Sequence, residues 1–481
     1  MSSSPGEHWR CLFAPTTVAV AGASNVVGTW GYNITQRLVQ SGRTVYPVNP
    51  SHPEIMRIPA FKRVSDIPGP IDLAVIAVPA QYVAGVMRDC VAKQVKAAVV
   101  VSGGFSEVDD DGKKAEEELV AIARTGGLRF IGPNTMGHAD TTTNMSMLGF
   151  TDKINPGTVA FASQSGNMGT RTMQQGMLSG VGFSRFVCTG NEANLRLEDY
   201  FEFFGQDDKS TVVALYIEGL REARRFFQLA KEISLKKPVV ALKSGGTTGS
   251  SHAARSHTGA LTGSAAVYAA AFRQTGVISV DNDEELADVL AFLLKQPLPR
   301  GQRIAVLTMG GGFGVTAAEA CEREGLEMAT LSQATIDKLS ALLPSRWPHG
   351  NPVDFAGLDM AGEPLVVSSL TALVEDEGVD AVLSLVSPRG LGPRGIVTDP
   401  AEAKAAAQVS SDRLTKLNEL AKSQGKPIIA VGFTPTQSPL QPGTYVFQWE
   451  GVPTFASAHR AARALRRALW YQRFLASRRT A

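Results

Sequence analysis

Near its N terminus the chain reads Val18-Ala19-Val20-Ala21-Gly22-Ala23-Ser24-Asn25-Val26-Val27-Gly28-Thr29-Trp30-Gly31. The first four residues form a short apolar run typical of a buried strand, and a helical pattern follows through Leu38 and Val39. A strand, a glycine-containing turn and a helix in this order open a βαβ unit in which the helix N terminus faces a phosphate. The alternative is that Gly22 and Gly28 only permit close packing of the strand against the helix.

Three further apolar runs, at residues 44–48, 73–78 and 97–101, continue this pattern, and helical segments separate them. Strands that alternate with helices form a parallel, doubly wound sheet. We therefore expect a Rossmann-like α/β domain over residues 1–150.

The ends of these strands indicate which ligand the sheet accepts. A nicotinamide dinucleotide is disfavoured, because Val48-Asn49-Pro50 carries no carboxylate for the ribose and the two glycines of the turn are separated by five residues. The later strand ends, Ala77-Val78-Pro79-Ala80 and Val101-Ser102-Gly103-Gly104, are small and uncharged. Such ends suit a ligand that lies along the carboxyl edge of the sheet.

A second domain is predicted over residues 151–297, after the turn Ile154-Asn155-Pro156-Gly157. Its first strand, residues 158–162, enters the turn Ser163-Gln164-Ser165-Gly166-Asn167-Met168-Gly169, which opens a helix. Backbone N–H groups at a helix N terminus favour an anion. A plain helix N-cap is the alternative.

A histidine after a later strand of this domain is the candidate for chemistry. The strand at residues 238–243 leads into a loop of small residues, 244–254, and then into Arg255-Ser256-His257-Thr258-Gly259-Ala260-Leu261. Nearby cations and glycine amides could meet an anion, so His257 is predicted to handle phosphate. The alternative is that it caps or packs at the start of the next helix.

Glu218 ends the strand at residues 211–217 and is expected at the same sheet edge. It could accept the Nδ1 proton of His257 and leave Nε2 as the nucleophile. Alternatively it forms an ion pair with Arg221, Arg224 or Arg225.

A third domain is predicted over residues 298–481. The strand at residues 303–309 meets the glycine run Gly310–Gly314, and later strands at 381–386 and 427–431 complete a second flavodoxin-like sheet. Asp354 lies in a turn, where it could bind a hydroxyl or cap the backbone. The chain closes in an arginine-rich helix, which is expected to be a solvated final helix or a docking surface for an acidic partner or nucleotide phosphate.

Bulk composition narrows the function classes. The 481 residues suggest about three domains, and a net charge of +2 provides no field that would recruit nucleic acid. Four scattered cysteines show no metal-ligand spacing, so neither disulfides nor a metal site are expected. Without a signal sequence or an apolar segment of about 18 residues, the protein is expected to be cytoplasmic and not bound to a membrane.

Six short motifs together resemble the alpha subunit of NDP-forming (ADP-forming) acyl-CoA synthetases, within the succinyl-CoA synthetase-like superfamily. They are GAS and VPA in the first domain, SQSGN and SHTGAL in the second, and TMGGGFG and NPVDFAG in the third. The resemblance runs from about residue 10 to 472, and SHTGAL is its most specific part. It implies a coenzyme A-binding domain, a flavodoxin-like domain with a phosphohistidine loop, and a second flavodoxin-like ligase-CoA domain.

The resemblance also implies residue roles. His257 would be the phosphohistidine and Glu218 the carboxylate that orients it. Phosphate would be held by Ser163, Gln164, Ser165, Gly166 and Asn167. Coenzyme A, a substrate, would be lined by Gly22, Ala23, Ser24, Asn25, Asn49, Pro50, Val78, Pro79, Ser102 and Gly103.

Three positions depart from the family pattern. Relatives often carry a lysine near Thr29 or Trp30, a GPNC motif where this chain has Gly132-Pro133-Asn134-Thr135, and Asn-Ser where it has Met309-Gly310. Because these changes fall on ligand-facing loops, the acyl group could be unusual. The histidine chemistry would be unaffected.

The resemblance further implies a partner. The ATP-grasp module that uses ATP/ADP with Mg²⁺ is fused in some relatives and a separate beta subunit in others. None is expected after Arg479, so a hetero-oligomer acting on coenzyme A and a small carboxylic acid is the expectation. Two alternatives are a coenzyme A-dependent regulatory sensor and an acyl or carbamoyl transferase that needs no nucleotide.

Overall fold

The computed structural model describes residues 6–149, 153–245, 264–355, 363–386, 400–432 and 451–479. The chain forms two compact units, Met1–Asp283 and Glu284–Ala481. The architecture is α/β, and its sheets are mainly parallel, as the alternating pattern predicted. The expected division into three domains stays a prediction.

The N-terminal part of the first unit contains a five-stranded parallel sheet in the order β2-β1-β5-β6-β7. Its elements are α1 (Glu7–Phe13), β1 (Thr17–Ala21), α2 (Trp30–Gln40), β2 (Thr44–Val48), the hairpin β3 (Glu54–Ile55) and β4 (Ile58–Pro59), β5 (Leu73–Ile76), α3 (Ala80–Ala92), β6 (Ala97–Val100), α4 (Asp110–Gly126) and β7 (Arg129–Ile131). The predicted strands are confirmed; β7 was not foreseen.

Both faces of this sheet are buried, which explains why its strands are apolar without alternation. Val18 and Val20 of β1 pack into one hydrophobic cluster, whereas Ala19 and Ala21 pack into another. Side chains of successive strand residues point to opposite faces, so each face receives every second residue.

The rest of the first unit contains a seven-stranded sheet in the order β14-β13-β12-β10-β11-β8-β9. Its elements are β8 (His138–Asp140), β9 (Met145–Ser146), β10 (Pro156–Ser163), α5 (Gly166–Leu178), β11 (Phe183–Cys188), α6 (Leu197–Gln206), β12 (Val212–Ile217), α7 (Ala223–Ile233), β13 (Val239–Lys243), α8 (Ala265–Thr275) and β14 (Ile278–Val280). β8 and β9 are antiparallel, and the other strands are parallel.

A buried ion pair joins β8 to the parallel part of this sheet. Arg185 on β11 donates to Asp140 on β8 at 2.9 Å and also pairs with Asp207. Its guanidinium lies 5.6 Å from the ring centre of Phe13 and 5.0 Å from that of Phe203. A desolvated arginine between two carboxylates and two rings fixes β8 on the edge of the sheet.

The second unit is built on a six-stranded parallel sheet in the order β16-β15-β18-β19-β20, with β17 also paired to β15. Its elements are α9 (Asp283–Lys295), β15 (Arg303–Thr308), α10 (Gly311–Arg323), β16 (Glu327–Met328), α11 (Gln333–Leu342), β17 (Val353–Asp354), α12 (Glu363–Glu375), β18 (Ala381–Ser384), α13 (Pro400–Ser423), β19 (Ile428–Val431), β20 (Thr454–Phe455) and α14 (Ala458–Arg479). The expected turn around Asp354 is therefore a short strand.

The expectation that the final helix is solvated was wrong. Ala461 and Leu465 of α14 are at most 1% exposed and belong to a core cluster of the second unit. Arg460 pairs with Asp288 at 2.7 Å, and Arg467 with Glu285 at 2.7 Å. The high arginine content of this segment predicted an exposed helix. Its arginines instead pair with carboxylates of the same unit, and small residues form the buried face of the helix.

No described helix of either unit is long and apolar enough to cross a membrane. All four cysteines are buried, and none forms a disulfide.

Candidate functional site

The first glycine turn brings two strand ends of the five-stranded sheet into backbone contact. Gly22 follows β1 with a φ of 87°, and a Cβ atom there would lie 2.3 Å from the carbonyl oxygen of Ala77 after β5. Only glycine avoids both the left-handed strain and the collision. The turn then runs to Thr29, whose hydroxyl accepts from the Tyr32 amide at 3.3 Å and caps α2.

Two predicted coenzyme A contacts, Asn25 and Asn49, bind neighbouring loops through their side chains. Asn49 Nδ2 donates to the Ala23 carbonyl at 3.0 Å. Asn25 Oδ1 accepts from the Met56 amide at 2.8 Å, and its Nδ2 donates to the Glu54 carbonyl at 3.2 Å. These amides shape the edge of the sheet. The nearby Ser24 hydroxyl likewise accepts from an amide of its own turn, at 3.0 Å.

The other predicted contacts complete the same edge. Ser102, after β6, donates its hydroxyl proton to the Val78 carbonyl at 2.5 Å. Pro79 is the N-cap residue of α3, Pro50 is exposed after β2, and Gly103 lies beside Asn134. Four adjacent parallel strands thus end in one cradle of small residues and backbone groups.

Exposed apolar side chains border this cradle in the glycine turn and in the first turns of α2 and α3. Trp30 is 45% exposed, Tyr82 is 61% exposed and Val27 is 76% exposed. Large exposed rings at a ligand edge indicate a contact surface. Tyr82 could not be recognised from the sequence, because only the sheet order places α3 next to the glycine turn.

The second glycine turn forms the N terminus of α5. Ser165 is the N-cap residue: its hydroxyl accepts from the Met168 amide at 3.3 Å and its carbonyl from the Gly169 amide at 2.9 Å. The amides of Gly166 and Asn167 precede these in the first turn, where an α-helix offers no carbonyl partner. They are the donors that an anion could use.

Ser163 and Gln164 hold this turn in place from below. The Ser163 side chain is fully buried, and its hydroxyl donates to the Ser165 carbonyl at 2.7 Å. Gln164 Oε1 accepts from the amides of Glu218 and Gly219 at 2.6 and 3.0 Å. Gln164 Nε2 donates to the Gly219 carbonyl at 2.7 Å and to Glu192 Oε2 at 3.0 Å. Their polar groups are thus engaged with the protein.

Glu218 lies half-buried at the end of β12, beside the strand that continues towards the histidine loop. Ile217 is in register with Lys243 on β13. Burial lowers the pKa of Lys243, and the Glu218 charge opposes that shift. The ammonium lies 4.7 Å from the ring centre of Tyr268, so a carboxylate and a cation stand together at this edge. His257 lies outside the described residues.

Two of the arginines that were alternative partners of Glu218 contact other groups. Arg221 donates to the Asn191 carbonyl at 2.8 Å. Arg225 pairs with Asp199 at 2.7 Å and also with Glu202 and Glu222.

Glu192 is a buried carboxyl that the sequence analysis did not single out. Burial, followed by the neighbouring Glu198, raises the pKa of Glu192 to about 8, although hydrogen bonds from Thr189 and Gln164 and the charge of Arg221 act in the opposite direction. The sequence Asn191-Glu192 showed only a polar turn.

The glycine run of the second unit borders a cavity of about 610 Å³, and Asp354 is among its lining residues. A Cβ atom on Gly311 would lie 3.7 Å from Asp354 Oδ2. A carboxylate therefore already stands at the N terminus of α10, which disfavours an anion there.

Two family models match most of the first unit and most of α9. Residues 16–140 match a family described as a CoA binding domain, and residues 156–293 match one described as a succinyl-CoA ligase like flavodoxin domain. The alpha subunit of acetate–CoA ligase (ADP-forming) II from Pyrococcus furiosus is 39% identical over 375 residues, which are 78% of this chain and 81% of that subunit. The chain belongs to the ADP-forming acyl-CoA synthetase family. It is similar to the alpha subunits of that family.

Other members of the ADP-forming acyl-CoA synthetase family show the same relation. Acetate–CoA ligase (ADP-forming) I from Archaeoglobus fulgidus is 41% identical over 377 residues, and the match spans 78% of this chain but 54% of that longer ligase. A structure of dinucleotide-forming acetyl-coenzyme A synthetase 1 from Candidatus Korarchaeum cryptofilum, in complex with phosphate and ADP, has 30% identity and a TM-score of 0.82. It covers 98% of this chain and 99% of the other.

Proposed function

We propose that the chain is the alpha component of an ADP-forming acyl-CoA synthetase. It would catalyse the reversible conversion of a carboxylate, coenzyme A and ATP into acyl-CoA, ADP and phosphate through an acyl phosphate and a phosphohistidine at His257. The observation that carries the proposal is the hydrogen-bonded link between the Ser165 turn and Glu218. It supports the proposal, because the turn that begins α5 and the residue Glu218 lie at the same edge of the sheet.

The chain's own residues would divide the work. Glu218 would hold the Nδ1 proton of His257, so that Nε2 takes the γ-phosphoryl group of ATP as the bond to ADP breaks. The substrate carboxylate would then attack phosphorus, which breaks the N–P bond and forms the acyl phosphate. The amides of Gly166 and Asn167 would stabilise the phosphoryl oxygens.

The thioester would form at the junction of the two glycine turns. The coenzyme A thiol would attack the acyl carbon, phosphate would leave as the C–O bond breaks, and the thiol proton would pass to the departing phosphate. Residues of the first cradle, from Gly22 to Asn25 and around Asn49, Val78 and Ser102, would bind coenzyme A. Their side chains fix loop shape, so backbone groups would provide most of the polar contacts.

The nucleotide would be bound by an ATP-grasp partner. The relatives named as alpha subunits support this assignment, as does the match to about half of the longer ligase from A. fulgidus. The partner, its Mg²⁺ and a hetero-oligomeric assembly are parts of the proposal. A cytoplasmic location also stays a prediction.

The test is labelling of the chain in the reverse direction. The chain is incubated with ³²P-phosphate and a panel of acetyl-, butyryl- and benzoyl-CoA. We expect acid-labile, base-stable phosphate on the wild type and none on His257→Ala, while calorimetry shows similar coenzyme A binding for both. If calorimetry shows that the wild type binds an acyl-CoA of the panel and that acyl-CoA produces no label, the proposed chemistry is wrong. Retained coenzyme A binding would then favour a sensor, and phosphorolysis without labelling would favour a transferase.

A further inference from the structure

We propose that Gln164 is a positioning residue that holds Glu218 in place, and that Glu192 is its buried anchor. The proposal rests on the proposed function, in which Glu218 orients His257. It assigns Gln164 to a role other than direct phosphate binding, and it gives Glu192 a role in the site.

The four hydrogen bonds of Gln164 fix its side-chain orientation. The carbonyl oxygen faces two N–H donors, those of Glu218 and Gly219, and the amide nitrogen faces two acceptors, Gly219 O and Glu192 Oε2. Turning the amide over would oppose like groups at all four contacts. One side chain therefore ties the base of the α5 turn to the backbone that carries Glu218.

Glu192 is built as a fixed anchor. It is 3% exposed, and its Oε1 accepts from the Leu197 amide at 3.1 Å, at the start of α6. Its backbone has a φ of 58°, which is uncommon for a residue with a side chain. The surrounding structure therefore holds the Glu192 backbone in an uncommon conformation and its carboxyl against the N terminus of α6. Residues held in this way are typical of functional sites.

Other residues do not reproduce this link. Glutamate at position 164 would still accept from the Glu218 amide, but its second oxygen would oppose the carboxyl of Glu192 unless the two shared a proton. Alanine would leave the N–H groups of Glu218 and Gly219 without the acceptor that Gln164 provides. Only a neutral amide of this length provides both the acceptor and the donor.

Several other groups face Glu192 and enter its titration. Glu198 and Tyr200 face it from α6, Arg221 from the loop after β12, and Thr189 from the end of β11. These groups are present in wild type and variant alike. The ratio of the labelling rate of Gln164→Glu to that of the wild type therefore reports the effect of the carboxyl at position 164.

The first measurement compares labelling rates of wild type, Gln164→Glu and the exposed control Gln40→Glu from pH 6 to pH 9. We expect Gln164→Glu to form phosphohistidine at least about tenfold more slowly than wild type at pH 8.5. The deficit should shrink towards pH 6, where the two carboxyls hold a shared proton, while KM for acyl-CoA stays near the wild-type value. Gln40→Glu should follow the wild type at every pH.

The second measurement is independent of activity. Hydrogen–deuterium exchange of the amides of Glu218 and Gly219 should accelerate at least about tenfold in Gln164→Ala and in Gln164→Glu at high pH, but not in Gln40→Glu. Equal labelling rates and equal exchange in all variants would overturn the positioning role. If the wild type exchanges as expected but is not labelled, the proposed function fails while the structural link stands.

Discussion

Gly31, in the first turn of α2, lies so close to Gly22 that a Cβ atom on Gly31 would come within 1.9 Å of the Gly22 carbonyl oxygen. The helix therefore meets the strand end in direct backbone contact. No other backbone contact described for the first glycine turn is as close, and this one sets the distance between α2 and the five-stranded sheet.

Gly31→Ala should destabilise the first unit and weaken coenzyme A binding. The methyl group has to displace backbone, for which overpacking costs of about 1–3 kcal/mol are typical. Thermal unfolding and calorimetric titration with coenzyme A would measure the two effects. Gly85→Ala is the matched control: it lies exposed in α3 with no atom near its Cβ position, so it should keep or slightly increase stability. Equal effects in both variants would contradict the prediction.

Ser165→Ala should reduce phosphohistidine formation by more than its loss of stability explains. The hydroxyl caps α5, and loss of an N-cap costs about 0.5–2 kcal/mol. Labelling with ³²P-phosphate would be compared with the free energy of unfolding.

Ser332→Ala provides the comparison, because Ser332 caps α11 in the second unit by accepting from the Thr335 amide at 3.3 Å. It should lose at least as much stability, because the Ser332 hydroxyl also donates to Asp376 at 2.9 Å, and it should keep its labelling rate. If both variants lost labelling to the same extent, the role of Ser165 would be only to cap α5.

Trp30→Ala and Tyr82→Ala should each raise the Kd for coenzyme A several-fold without changing the thermal unfolding temperature. Both rings are exposed at the cradle, so their removal leaves the core intact. Stacking or apolar contact of an aromatic ring contributes about 1 kcal/mol, which corresponds to roughly a fivefold change in affinity. Unchanged affinity in both variants would show that the ligand does not reach this rim.

Acidification should destabilise the first unit through His138. This ring is fully buried, its Nε2 lies 2.7 Å from the Leu12 carbonyl, and burial lowers its pKa to about 4. Between pH 6.5 and pH 4, His138 binds a proton in the unfolded chain but stays neutral in the folded protein. The free energy of unfolding therefore falls as the pH falls.

His138→Gln removes this titration. The free energy of unfolding, measured by denaturant titration at pH 7, 6, 5 and 4, should fall less steeply in the variant than in the wild type. His52→Gln, at an exposed position, should retain the full wild-type slope. Identical slopes in His138→Gln and the wild type would show that other groups cause the acid sensitivity.

The strands of the parallel sheets could be predicted because buried parallel strands are continuous apolar runs. The pairing of β8 with β11 could not, because His138-Ala139-Asp140 is a polar run whose burial depends on Arg185 and Leu12 far away in sequence. The same limit applies to α14, whose arginines find carboxylates that composition does not locate.

The parts of the candidate site that depend on residues adjacent in sequence could be predicted. The parts that depend on contacts between residues far apart in sequence could not. The glycine turn and the N-cap at Ser165 follow from short-range patterns, and the structure places them at the expected strand ends. Gln164 was expected to hold phosphate, but its bonds to Glu218 and Glu192 span 54 and 28 positions in sequence. No short-range pattern reports such contacts.

The antiparallel pair β8 and β9 also decides how the protein can be divided for experiments. These strands precede β10 in sequence but complete the sheet to which β10 belongs. A fragment that starts after them would leave the edge of β11 unpaired and remove Asp140 from Arg185, and open strand edges recruit other chains. Such a truncated fragment should self-associate on expression more strongly than one that begins before His138.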